Sequence, residues 1–136
     1  MSSYGNAMLS KTNHHTTLVN VFEAFNHHDA GAVAAYMTEN SIFDTIGGSD
    51  AYGTRIQGRD AIRNAFAAVW AGMPDARWDV IRHTIADDRA FSEWVFSGTD
   101  AQGMRIEAEG VDLFTFDGPL IASKRAFRKQ RPSFKG

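Results

Sequence analysis

The chain has 136 residues and no cysteine, a length that suits one domain and a composition that excludes disulfides and thiol chemistry. Its formal net charge of −2 argues against nucleic acid as a partner. No apolar run approaches the ~20 residues that a membrane span needs. Residues 1–13 lack the apolar core of a signal peptide, so we expect a cytoplasmic protein. We predict a flexible segment at residues 1–13, one domain at 14–132 and a tail at 133–136.

Three segments in the first half of the chain carry apolar residues at helical spacing. Thr16 or Thr17 is the predicted N-cap of the first helix, and Asp29 is the predicted N-cap of a short second helix. The predicted helices span residues 16–28, 30–37 and 60–73.

Extended segments dominate the second half, and the short turns between them contain aspartate or glycine, as hairpin turns prefer. The predicted strands span residues 41–46, 77–85, 90–99, 104–116 and 120–131, with a short extended piece at 53–58. Helices followed by a meander of strands indicate the α+β class. We expect the helices to lie on one face of a strongly curved antiparallel sheet, which forms a cone around a cavity.

Five short motifs carry a resemblance to a known family. They are FNHHD at residues 25–29, SIFD at 41–44, GRDAI at 58–62, FSEW at 91–94 and GVDLFTFDG at 110–118. In this order and spacing, residues 18–132 resemble the nuclear transport factor two-like superfamily, which includes ketosteroid isomerases, SnoaL-like polyketide cyclases and limonene epoxide hydrolase. The resemblance implies a cone-shaped fold in which three helices enclose an apolar pocket, and it implies a homodimer.

Asp44 is the first candidate catalytic residue. By the resemblance it occupies the position of the general base that removes a proton α to a carbonyl. Ile42 and Ile46 share its face of the predicted strand, which indicates that this face points inward. The alternative is an aspartate that caps a turn.

Asp112 is the second candidate, because it alternates with Phe114 and Phe116 on one face of a predicted strand. By the resemblance it is the acid that stays protonated and donates a hydrogen bond to a developing enolate. The alternative is an aspartate paired with a cation, for which Lys124 is the candidate. By the same resemblance Lys124 faces the pocket, where it could neutralise Asp112 or polarise a carbonyl. An exposed lysine is its other interpretation.

The chain departs from two of the family's catalytic patterns. A ketosteroid isomerase has a tyrosine on the first helix where this chain has Val21 or Phe22, so Tyr36 or Tyr52 would have to substitute. The arginine of the epoxide hydrolase pattern is missing. The predicted pocket walls are Phe22, Tyr36, Tyr52, Trp70, Met73, Trp94, Phe114 and Phe116.

The remaining charged residues give weaker indications. No histidine pair has the i, i+4 spacing of a zinc-binding helix, so we predict no metal site and no cofactor. Residues 124–136 contain six lysines or arginines and no acid. We interpret this stretch as a solvated edge strand with a loose tail rather than as an anion-binding patch.

Together these observations favour a cofactor-independent isomerase or cyclase. It would act by general acid/base chemistry on a small hydrophobic carbonyl compound, polyketide-like or steroid-like. Asp44 would be the base, and Asp112 the acid or oxyanion partner. The alternative is a non-catalytic module of the same fold that binds a small ligand or dimerises.

Overall fold

Three helices pack against a single six-stranded sheet in the computed structural model, which describes the backbone of residues 3–136 and the side chains of residues 13–136. The helices are α1 (Ser3–Asn26), α2 (Ala30–Ala35) and α3 (Arg59–Gly72). The strands are β1 (Met37–Asp44), β2 (Arg55–Gln57), β3 (Arg77–Ala86), β4 (Arg89–Thr99), β5 (Arg105–Asp117) and β6 (Leu120–Arg128). The predicted α+β class and element order are confirmed.

The sheet is curved and does not close into a barrel. Its strand order is β2-β1-β6-β5-β4-β3, and β3 to β6 form the predicted antiparallel meander. β1 pairs with β6 in parallel, so the prediction of a wholly antiparallel sheet is wrong at this pair. The long connection through α3 and the meander brings β6 back beside β1 in the same direction. The prediction that β6 is an edge strand is also wrong, because β1 and β5 flank it.

The helix boundaries differ from the sequence-based expectation most clearly at the start of α1 and at the end of α2. Thr16 and Thr17 lie inside α1 and are not its N-cap. α2 ends at Ala35, and Met37 is the first residue of β1. The Asp29 cap is confirmed, because the Ala32 N–H donates to Asp29 Oδ1 at 3.0 Å.

The proposed domain limits stay a prediction, and residues 1 and 2 lie outside the described part of the chain. Within the described residues, none of the helices is both long and apolar enough to cross a membrane.

Aromatic rings fill the space between the helices and the concave face of the sheet. Phe25 of α1 lies 5.0 Å from Phe66 of α3 and 5.6 Å from Trp78 of β3, measured between ring centroids. Phe66 also stacks on Phe43 of β1 at 5.1 Å. Offset and edge contacts of this kind stabilise a core beyond the area they bury. These rings define the region in which a ligand could be enclosed.

Gly110 sets the position of one further ring. A Cβ at this position would overlap with the indole of Trp94 and with the carbonyl oxygen of Phe127. Because Gly110 has no side chain, the Trp94 indole can lie against β5 at this position. The indole N–H then points into the interior, where it donates to Asp112.

Candidate active site

An inner cavity of about 200 Å³ lies between α3 and the concave face of the sheet. Its walls are mostly apolar, and its charged lining residues are Lys124 and Arg128. The main apolar wall residues are Phe43, Ile56, Phe66, Val69, Trp78, Trp94, Phe96 and Ala126. A dry cavity of about 150 Å³ holds benzene, so this space suits a ligand of one ring. Larger grooves of about 480 and 490 Å³ exist, but Lys124 and Asp112 line neither of them.

Asp112 and Lys124 form a buried pair beside the inner cavity. Lys124 Nζ donates to Asp112 Oδ1 at 3.1 Å, and Trp94 Nε1 donates to Asp112 Oδ2 at the same distance. Asp112 is 0% exposed and Lys124 is 2% exposed. The predicted inward orientation of both side chains is therefore correct. Of the alternatives left open for Lys124, the structure shows pairing with Asp112, and the exposed lysine is wrong.

The surroundings of the buried pair are almost entirely aromatic. Lys124 Nζ lies 4.3 Å from the ring centroid of Phe43, and 5.5 and 5.6 Å from those of Phe25 and Phe66. The π faces of the rings partly replace the water that the ammonium has lost. Burial raises the pKa of the Asp112 carboxyl above its ordinary value, and the charge and hydrogen bond of Lys124 and the hydrogen bond of Trp94 oppose this only in part.

Asp44 lies on the other face of the sheet. In the row of paired residues that crosses β2, β1, β6 and β5, the inward members are Ile56, Phe43, Lys124 and Phe114. The next row contains Arg55, Asp44, Arg125 and Leu113. The predicted inward orientation of Asp44 is therefore wrong. Its face of β1 does carry Ile42, but the inward face carries Ser41 and Phe43, and a shift of one residue exchanges the two faces. Ile46 lies beyond the end of β1 and lines the inner cavity.

Two arginines hold the Asp44 carboxylate. Arg55 Nε donates to Oδ1 at 2.8 Å and Arg55 Nη2 donates to Oδ2 at 3.0 Å, while Arg125 Nε lies 3.7 Å from Oδ2. We call these three residues the outer clamp. The guanidinium of Arg55 also lies over the ring of Tyr52, 4.0 Å from its centroid. The outer clamp joins β2 and the loop before it to β1, so the contacts of Asp44 stabilise the structure. Tyr52 packs on the outer clamp and does not line the inner cavity.

The other predicted wall residues are divided between the cavity and the core. Trp94 borders the inner cavity. Six others belong to the core instead. Four of these are buried, namely Phe22, Trp70, Phe114 and Phe116, and two are partly buried, namely Tyr36 and Met73. Phe96 and Arg128 were missed as wall residues, although strand alternation places Phe96 with Trp94 and Arg128 with Lys124.

A second polar contact lies next to the buried pair. His83 Nδ1 is hydrogen-bonded to Ser92 Oγ at 2.8 Å, and the fully buried Ser92 is the cross-strand partner of Asp112. Burial of the half-buried His83 ring lowers its pKa to about 4, and repulsion from His15 adds to this effect. No pattern in the sequence predicts this contact, because it depends on the pairing of β3 with β4. Among residues 13–136, no three His, Asp or Glu side chains converge on a possible metal position.

We expect His83 to make the stability of the protein depend on pH. Its pKa is about 4 in the folded state and about 6.5 when unfolded, so the folded state binds fewer protons between these values. The stability that neutral His83 contributes is full above about pH 6.5 and is lost as the pH falls through about 4. The free energy of unfolding, measured in urea between pH 7 and 4, should fall less steeply in His83→Gln than in the wild type. Replacement of the exposed His27 by Gln is the matched control, and parallel curves for His83→Gln and wild type would contradict the expectation.

Solved structures share this fold. Bal32a, from a soil-derived mobile gene cassette, is 17% identical with a TM-score of 0.79, and the match covers 89% of this chain and 92% of that one. A candidate polyketide cyclase from Xanthomonas campestris is 20% identical with a TM-score of 0.77, covering 88% and 93%. A protein of ketosteroid isomerase-like fold from Catenulispora acidiphila, in complex with trimethylamine, is 17% identical with a TM-score of 0.71, covering 82% and 83%. At these identities the likeness establishes the fold alone.

The sequence itself establishes the family. No curated protein shows significant sequence similarity to the chain. The SnoaL-like domain model, however, matches residues 18–124, from α1 to the lysine of the buried pair. This span contains the end of α1, all of α2 and α3, and the sheet up to Lys124 of β6. The cavity residues Ala126 and Arg128 lie beyond it. The structural neighbours confirm the resemblance to the nuclear transport factor two-like superfamily. The chain therefore belongs to the SnoaL-like domain family.

Proposed function

We propose that the protein is a cofactor-independent isomerase or cyclase that acts by acid/base chemistry on a small hydrophobic carbonyl compound in the inner cavity. The observation that carries the proposal is the Lys124 amine, which borders a cavity of aromatic walls and is paired with a fully buried acid. The family and the candidate polyketide cyclase among the structural neighbours support a fold of the cyclase and isomerase type.

Lys124 is the group that would touch the substrate. As an ammonium it would donate a hydrogen bond to the carbonyl oxygen and stabilise the enolate that develops there. If the ammonium first passes a proton to the Asp112 carboxylate along their hydrogen bond, the neutral amine can accept a proton from the carbon α to the carbonyl. Return of that proton to another carbon of the enolate completes an isomerisation. Asp112 is the positioning residue in this scheme, since its hydrogen bond with Lys124 Nζ holds the amine at the cavity and gives the proton a path between the two groups.

The volume of the inner cavity limits the substrate. Steroids and multi-ring polyketides exceed about 200 Å³, whereas a one-ring ketone or enone fits. We therefore propose a small cyclic carbonyl compound.

A second candidate function is a binding module without catalysis. Asp44, the expected base, is held in the outer clamp, and no carboxylate lines the inner cavity in the described part of the chain. The Catenulispora acidiphila protein in complex with trimethylamine supports small-ligand binding in this fold.

The proposed homodimer, like the cytoplasmic location, rests on expectation from the sequence. The outer face of the sheet supports it, because Ile81, Phe91 and Phe127 are exposed there. Apolar side chains on a sheet face suit a two-fold interface. Light scattering at micromolar concentration should give twice the chain mass of 15.0 kDa, and a single-chain mass would contradict the dimer.

Deuterium incorporation α to the carbonyl, followed by NMR in D₂O, tests catalysis directly. We expect exchange above the buffer rate for one-ring ketones and enones, and a loss of about a hundredfold or more in Lys124→Met, because general acid/base catalysis contributes at least that much. Asp112→Asn should also slow exchange.

The control variant is Asp44→Asn, which removes a carboxylate from the outer clamp and should leave the exchange rate unchanged. A folded Lys124→Met variant that exchanges as fast as the wild type would refute the mechanism. No exchange by the folded wild type over the whole panel would favour the binding module.

A further inference from the structure

Arg128 brings a second cation to the inner cavity, and no carboxylate of the described residues neutralises it. The side chain is half-buried at the end of β6, with its guanidinium carbon 4.9 Å from the ring centroid of Phe96. No Asp or Glu oxygen lies within 4 Å of it in residues 13–136. Burial lowers the pKa of this guanidinium, which shows that its charge is held in a poorly solvated place.

The acidic residues near Arg128 either are paired with another arginine or form no ion pair with it. Glu93 and Glu109 line a surface groove that Arg128 also borders. Arg82 binds the Glu93 carboxylate, with 2.6 Å between Nε and Oε2. Glu109 is exposed and makes no ion pair with Arg128. The other cations of β6 do have carboxylate partners, since Lys124 is paired with Asp112 and Arg125 with Asp44. Within the described residues, Arg128 is the cation of β6 that lacks one.

Lys124 and Arg128 lie four residues apart on β6, and this spacing sets the distance between the two cations of the inner cavity. Lys124, Ala126 and Arg128 all line the inner cavity, as alternate residues of one strand do. At about 3.3 Å per residue, the Cα atoms of Lys124 and Arg128 are about 13 Å apart. Ala126 lies between them, and its small side chain leaves room for a ring. A ligand over Ala126 would therefore have a cation at each end.

We propose that the inner cavity takes a small one-ring carboxylate, with the carboxylate bound by Arg128 and the opposite end of the ring directed towards Lys124. Arginine suits this task, because its planar fork of donors matches a carboxylate and keeps its charge. The role of Lys124 towards a carbonyl rests on the proposed function, whereas the requirement for an anion rests on Arg128.

Two probes of nearly equal shape test the anion requirement. Benzoate carries the charge and benzamide does not, and calorimetric titration of the full chain at neutral pH measures both. We expect the wild type to bind benzoate about tenfold more tightly than benzamide, the gain typical of a charged hydrogen bond. Arg128→Gln should lose that preference, while Ala126→Leu, which fills the cavity, should weaken both probes.

The matched control is Lys129→Gln, which removes one positive charge from an exposed neighbour that does not line the inner cavity. It should bind benzoate as the wild type does. Equal binding of the two probes by the wild type, no binding of either, or full benzoate binding by folded Arg128→Gln would overturn the inference. α-Exchange of neutral ketones without a preference for benzoate would overturn it and leave the proposed function standing. Benzoate binding that depends on Arg128, without α-exchange of any ketone, would support the inference and count against the proposed function.

Discussion

An ammonium and a carboxylate that are both removed from water have to lie against each other, because each alone would cost several kcal/mol. Asp112 and Lys124 satisfy this constraint across the β5–β6 pairing, and Trp94 donates to the second carboxylate oxygen. The register of the two strands and the orientation of the indole follow from this contact. Since β6 also pairs with β1, the same contact places the Phe43 ring beside Lys124 Nζ. Lys124, Phe43 and Trp94, which this contact brings together, all line the inner cavity.

Neighbouring residues of β1 and β6 have opposite roles because a strand presents alternate side chains to its two faces. Phe43 and Lys124 belong to the interior, where the polar chemistry is confined to one pair within an aromatic environment. Asp44 and Arg125 belong to the outer clamp, which joins β2 and the loop after β1 to the sheet. Both faces carry a buried carboxylate that is paired with a cation. They differ in the cation, because Lys124 is buried whereas Arg55 and Arg125 are exposed. This difference is the reason that we propose Lys124 and Asp112, rather than Asp44, as the groups that carry the chemistry.

Much of the fold could be predicted, because the signals that specify it are local. Hairpin turns with aspartate or glycine marked β3 to β6, and a capping aspartate marked α2. The parallel pairing of β1 with β6 was not predictable from periodicity, since a strand pattern does not identify its partner. That pairing makes β6 an interior strand.

The candidate site could be predicted only in part, for a related reason. Alternation with Phe114 and Phe116 placed Asp112 inward, because one face of β5 is clearly the more apolar. In β1 both faces carry an apolar residue: Ile42 on one and Phe43 on the other. The choice between them is made by the paired strands and by the loop that covers Asp44, and neither is visible in a short window of sequence.

The most direct test of the central claim is a double-mutant cycle on the buried pair, measured as the free energy of unfolding in urea. Asp112→Asn and Lys124→Met should each cost about 3–5 kcal/mol, because each leaves the partner buried without its counter-charge. The double variant should cost clearly less than the sum of the two, since it removes both charges together. Losses that simply add would show that the two groups act independently, and would contradict the account.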